Sequence, residues 1–129
     1  MCAGNARDFE TRRLTSMLTT EKLKTFGADV GTALPRCANN EALYLRLVGM
    51  CVDELQKDAL GEALKSGDLD GAFAAAHKLK GSAGNLALTP IFDPISELTE
   101  LLRTKTPGDY DALYRQVVSK TNELAELMN

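Results

Sequence analysis

Apolar residues recur along almost the whole chain at the three-and-four spacing of an α-helix, and no segment alternates like a strand. Residues 40–55, "NEALYLRLVGMCVDEL", place Leu43, Leu47, Met50, Cys51 and Leu55 on one stripe, with Asn40 as N-cap and Glu41 in the first turn. A second apolar side is formed by Tyr44, Leu45, Val48 and Val52. A helix apolar on both sides is ordinarily covered on both. The pattern therefore predicts an N-terminal helix packed there, with an exposed partner-docking strip as the alternative. Residues 56–66 continue as helix after a kink near Asp58, and Ser66-Gly67-Asp68 reads as a turn ending on an N-cap. The next helix runs from about Asp68 to Leu86.

Thr89-Pro90 then offers an N-cap followed by a proline at the first helical position. The stripe of that helix is Ile91, Ile95, Leu98, Leu101 and Leu102. Pro94 is expected to kink its first turns or to delay its start, with Asp93 then as the N-cap. "TPGD" at 106–109 is a turn, and a last helix at about 109–127 buries Tyr110, Leu113, Val117, Leu124 and Met128. Upstream, Leu14, Met17 and Leu18 suggest one short helix. Leu23, Phe26, Val30 and Leu34 suggest one or two more, limited by Pro35. Connections of two to six residues imply antiparallel neighbours. The expected fold is all-α: an antiparallel up-down four-helix bundle with a short N-terminal capping helix or helices. Residues 1–20 read as an N-terminal lead, partly helical or flexible, and residues 21–129 as the bundle domain.

Composition narrows what such a bundle does. The 129 residues suit one domain with one core. A net charge of −3 offers no broad basic surface for nucleic acid. No apolar run approaches the roughly 20 residues needed to span a membrane, and "MCAGNARDFE" has neither the apolar stretch of a secretory signal nor glycine after Met1. Cys2, Cys37 and Cys51 form an odd, widely spaced set without a CxxC pair. Cys37 and Cys51 read as small apolar fillers, and the expected location is cytoplasmic, with reduced thiols.

A single histidine, His77, excludes HExxH and Cys/His zinc patterns, and neither a GxxxxGK[ST] loop nor a GxSxG elbow is present. On a helix over 68–87, Leu69, Ala72, Ala76, Leu79, Ala83, Leu86 and Ala87 share the core side, and His77 lies roughly 120° from its centre. Phe73, Lys80, Gly81 and Gly84 are its neighbours at helical spacing. Each glycine weakens an exposed helix by about 1 kcal/mol relative to alanine. Two of them beside an outward imidazole leave a bare surface that another backbone can approach. An imidazole ordinarily titrates near about 6.5, so at cytosolic pH its free nitrogen is a competent nucleophile. No general base, metal ligand or oxyanion device accompanies it, which describes a carrier whose partner brings the catalytic apparatus.

The stretch "AHKLKGSAGNLAL", residues 76–88, resembles the signature of histidine-containing phosphotransfer (HPt) domains. That signature is a histidine, Lys-Gly at plus three and plus four, a small residue at plus seven and an apolar one two later. His77, Lys80, Gly81, Gly84 and Leu86 fill those places. "SELTELLR" at 96–103 is similar to the family's next helix, and "NEALYLRLV" and "ALKSGDLDGAFAAAHKLKG" at 40–48 and 63–81 are similar to small stand-alone bacterial members. The resemblance covers about residues 25–128.

It implies a phosphorelay intermediate of a two-component system, accepting a phosphoryl group on His77 from a receiver-domain aspartate and passing it to another receiver. Lys80 would stabilise the phosphoryl charge, and Gly81 and Gly84 would clear space for the receiver to dock; Phe73, a helical neighbour of His77, is a further docking candidate on its position alone. No cofactor of its own is implied, because the receiver supplies Mg²⁺. The implied partners are response-regulator receivers and a hybrid or cognate histidine kinase, with no nucleic acid and no membrane, and a monomer is expected. It would be a phosphoryl carrier, not an ATP-dependent kinase. Two other readings stand beside it: a receiver-binding module that does not transfer, and the phosphoacceptor domain of a chemotaxis-type kinase. Met1 and the N-terminal lead favour a free protein over the terminal piece of a hybrid kinase. Two departures stand out: Ala87, where many members carry glycine, and Pro94, where relatives often have uninterrupted helix.

Overall fold

A computed structural model describes residues 18–128. Among these the chain is helical, with seven helices and no strand: α1 (Thr20–Phe26), α2 (Val30–Arg36), α3 (Glu41–Lys57), α4 (Ala59–Lys65), α5 (Leu69–Asn85), α6 (Thr89–Arg103) and α7 (Tyr110–Glu126). The starts follow from local chemistry. The side chains of Thr19, Asp29, Asn40, Asp58, Asp68 and Asp109 each accept a hydrogen bond from a backbone N–H in the first turn of the helix they precede. Each satisfies a donor that the helix itself cannot.

The bundle has four arms, the first of them broken. The expected kink near Asp58 is a full interruption: Asp58 takes left-handed φ 60°, ends α3 and caps α4. Its carboxylate accepts from the Gly61 N–H at 3.2 Å and from the Tyr114 hydroxyl of α7 at 2.7 and 2.8 Å. The expected turn before α5 is present, with Gly67 at φ 77°. Neighbouring arms run antiparallel. Between α3 and α5, the Tyr44 hydroxyl donates to the Leu86 carbonyl at 2.9 Å, and Lys78 pairs with Glu54 at 3.4 Å. Between α5 and α6, Gly84 lies opposite Phe92 at one end, and Lys105, just past α6, pairs with Asp70 at the other.

One core runs through the arms. Tyr44, Val48, Val52, Leu60, Ile91, Ile95, Leu98, Leu102 and Leu124 are its largest fully enclosed residues within them. Cys37 and Cys51 are buried free thiols, as fillers would be, and burial pushes the Cys51 thiol up to about 11. Of the expected α7 contacts, Leu113, Val117 and Leu124 are buried, and Tyr110 and Met128 are half-buried.

Three expectations change. Met50 is not part of the buried stripe of α3: it is 60% exposed, because the enclosed line runs through Tyr44, Val48, Cys51, Val52 and Leu55 and leaves Met50 outside it. Neither Thr89 nor Asp93 caps α6, and Pro94 does not delay its start. The helix begins at Thr89 with Leu88 in the N-cap position and no side-chain cap. Leu88 is wholly buried, its N–H donates to Ala83 and its carbonyl receives Ile91 and Phe92, so core packing sets this start. Pro94 lies buried inside the helix. Finally, Pro35 falls within α2, one residue before its end. The helix expected from Leu14, Met17 and Leu18 lies largely outside the described residues, as does Cys2.

Candidate functional site

The helix that carries His77 is held from both ends and along one side. Asp68 caps its start, donating no proton but accepting from Gly71 at 2.9 Å, and Asp70 puts negative charge in the first turn. Ala72, Ala76, Leu79 and Ala83 are buried along its inner face. These small and branched residues recur at three and four, so the opposite face is turned to solvent. His77 and Lys78 are exposed there, and Lys80 is half-buried.

Phe73, one turn before His77, stacks on the imidazole with ring centroids 5.8 Å apart and planes at 24°. Such a contact holds a ring in place without using a ring nitrogen. Among the described residues the imidazole has no hydrogen-bond or ion-pair partner, and the residue as a whole is exposed. No group of histidine, cysteine and acidic side chains suited to a metal exists among the described residues. Lys80 has no ion pair among them either, and it lies in the field of Glu100 on α6. Glu100 is itself engaged by Arg103, at 2.6 Å, and that guanidinium is the main cause holding its carboxyl below the ordinary range. Lys80 is therefore a cation not neutralised by direct contact, one turn from His77.

The two glycines differ. Around Gly81 nothing comes within 4 Å of where a β-carbon would stand, so the surface beside His77 is bare. At Gly84 a β-carbon would meet Phe92 at 3.0 and 3.3 Å. The space above Gly84 is filled by α6, and its missing side chain lets that ring close on the helix. Phe73, His77, Lys80 and Gly81 thus gather on one accessible face, and Gly84 sits at the α5–α6 seam.

Residues that the sequence reading did not single out surround this face. Phe92 covers Gly84, Glu100 and Arg103 set the charge near Lys80, and Arg36 of α2 donates to the Gly84 and Asn85 carbonyls at 3.0 and 3.1 Å. Only the last turn of α6 carried a sequence signal, an acid and a base three apart. Ala87, directly after α5, takes left-handed φ 54°, a backbone conformation that glycine adopts more readily than alanine.

The family model for the Hpt domain matches residues 46–128, well over half of the chain. No curated protein and no solved structure matches it.

Proposed function

We propose that this chain, which belongs to the Hpt domain family, carries a phosphoryl group on His77 between the aspartates of response-regulator receiver domains. Membership by itself implies phosphotransfer in a phosphorelay and interaction with receiver domains; members are phosphoryl carriers, and no kinase domain is matched in this chain. No helix among the described residues is long and apolar enough to cross a membrane. A cytoplasmic, bacterial setting downstream of a hybrid or cognate histidine kinase belongs to the same reading.

The observation that carries the assignment to His77 is its exposure on α5 beside a bare Gly81 and a cation at plus three. A neutral ring nitrogen attacks the phosphorus of the receiver's aspartyl phosphate. The P–N bond forms, the P–O bond breaks, and the carboxylate leaves with its electron pair. The other ring nitrogen keeps its proton. Lys80 offsets the charge of the group that arrives. The receiver brings Mg²⁺ and the remaining electrostatic stabilisation, and the same step in reverse loads the next receiver. Phe73 limits rotation of the ring, and Gly81 lets the receiver's backbone come close.

The test is transfer from phosphorylated receivers of the source organism. Wild-type protein should acquire acid-labile, alkali-stable phosphate, and His77→Gln should acquire none while keeping the same helical circular dichroism. Labelling of His77→Gln, or no labelling of the wild type by any of those receivers, sinks the assignment.

A further inference from the structure

A helix leaves its last carbonyls without partners of its own. In α5 the Leu86 N–H returns to Ser82 and Gly84, and the Leu88 N–H to Ala83. The carbonyls of Asn85, Leu86 and Ala87 are met from elsewhere, and all three partners come from one segment. Arg36 donates to Asn85 at 3.1 Å and also to Gly84 at 3.0 Å. The Tyr44 hydroxyl donates to Leu86 at 2.9 Å, and the Asp29 N–H to Ala87 at 2.9 Å. The last turn of α5 contains no cation of its own. Arg36 supplies, from α2, the positive charge that favours a helix C-terminus. Asp29, Arg36 and Tyr44 all precede the family-matched region.

This clamp holds the weakest stretch of the helix. Gly81 and Gly84 both lie within its last five residues, and helix ends fray first. Lys80 stands at a fixed place relative to His77 only while the backbone between them and the clamp stays helical.

We propose that Arg36 is a positioning residue for phosphoryl transfer, acting through the C-terminal turn of α5 and not by contact with the phosphoryl group. The inference rests on His77 as the acceptor. The guanidinium keeps residues 81–86 wound, and that keeps Lys80 and the bare Gly81 in register with the imidazole.

Two readouts on the full chain test it: amide hydrogen exchange in the free protein, and the rate of transfer from a phosphorylated receiver. Arg36→Gln should raise exchange across residues 81–86 about fivefold, as loss of the exposed guanidinium's shared hydrogen bond to the Gly84 and Asn85 carbonyls would. Exchange in the middle of α7 should not move. Transfer should slow about three- to tenfold, as expected for a displaced group, while the final phosphate per protein stays the same. Tyr44→Phe removes the neighbouring partner without changing charge and should act in the same direction on both readouts.

Slower transfer in Arg36→Gln with unaltered exchange would mean that Arg36 touches the receiver directly, and overturns the proposal. Faster exchange with wild-type transfer overturns it as well, since the wound end would then be irrelevant. Failure of the wild type to take phosphate removes the acceptor reading and this inference together. Equal transfer by wild type and Arg36→Gln removes this inference alone.

Discussion

The ring of Phe92 presses against the place where a side chain on Gly84 would begin, with Cε1 3.0 Å from that point. Gly84 is the contact that lets α6 lie against the helix of His77, and Gly81, three residues earlier, is not. The two glycines therefore answer differently to the same substitution. Gly81→Ala adds a methyl to open space in a helix interior and should stabilise the protein by about 0.5–1 kcal/mol. Gly84→Ala meets the ring and should lose that gain, ending neutral or up to about 1 kcal/mol less stable. Urea titrations of both variants, with Phe92→Leu added to Gly84→Ala to recover the gain, check the contrast. Open space surrounds Gly81, whereas Phe92 stands against Gly84.

Ala87 pays for its left-handed backbone with a side chain that hinders it. Ala87→Gly relieves this and should raise stability by roughly 0.5–1 kcal/mol, net of the added freedom of the unfolded chain. The midpoint of thermal unfolding should rise. No rise would mean that the half-buried methyl contributes as much through packing as the backbone loses.

Asp58 serves three ends with one side chain: it tolerates the left-handed turn, caps α4 and receives the Tyr114 hydroxyl. Asp58→Ala should destabilise by about 2–3 kcal/mol, combining a lost cap with a lost charge-assisted hydrogen bond. Asp58→Asn keeps the backbone preference and an acceptor oxygen and should cost less than half as much. Equal losses in the two variants, measured by chemical denaturation, would show that the carboxylate charge decides.

Alkali should weaken the fold before it reaches the ordinary chemistry of the chain. Burial first of all pushes the Tyr44 and Tyr114 phenols up from 10.0 to about 12, and the Cys51 thiol up from 9.0 to about 11. For Tyr114 the hydrogen bond to Asp58 adds to the effect. Between about pH 9 and 12 the unfolded chain releases protons that the native chain retains, so stability is complete below pH 9 and falls as pH rises through that window. Unfolding free energies measured from pH 8 to 11 should decline, and more shallowly in Tyr114→Phe.

Much of this was legible along the chain, for a physical reason. Helical period and capping side chains are local, so the caps Asn40 and Asp68 can be read within four residues of the N–H groups they receive, and a kink, though not the full interruption, can be read near Asp58. His77, Phe73, Lys80 and Gly81 share a face because helical geometry alone places them there. What could not be read is contact at long range. Nothing around Arg36 says that it reaches carbonyls about fifty positions later, and nothing around Gly84 says that Phe92 closes on it. The start of α6 was misread for the same reason: a buried leucine sets it, where polar residues nearby looked the better candidates.

The matched region opens at Arg46, inside α3, five residues after that helix begins. A graft or fusion cut at that boundary would carry away His77 with every residue of its accessible face, yet it would leave behind Asn40, Tyr44, Arg36 and Asp29. The transplanted piece would start on a helix without its cap and would hold a histidine helix whose final carbonyls had lost their partners. The family-matched stretch and the stretch that holds the histidine helix at both its ends therefore have different edges, and a transplant should begin before α1.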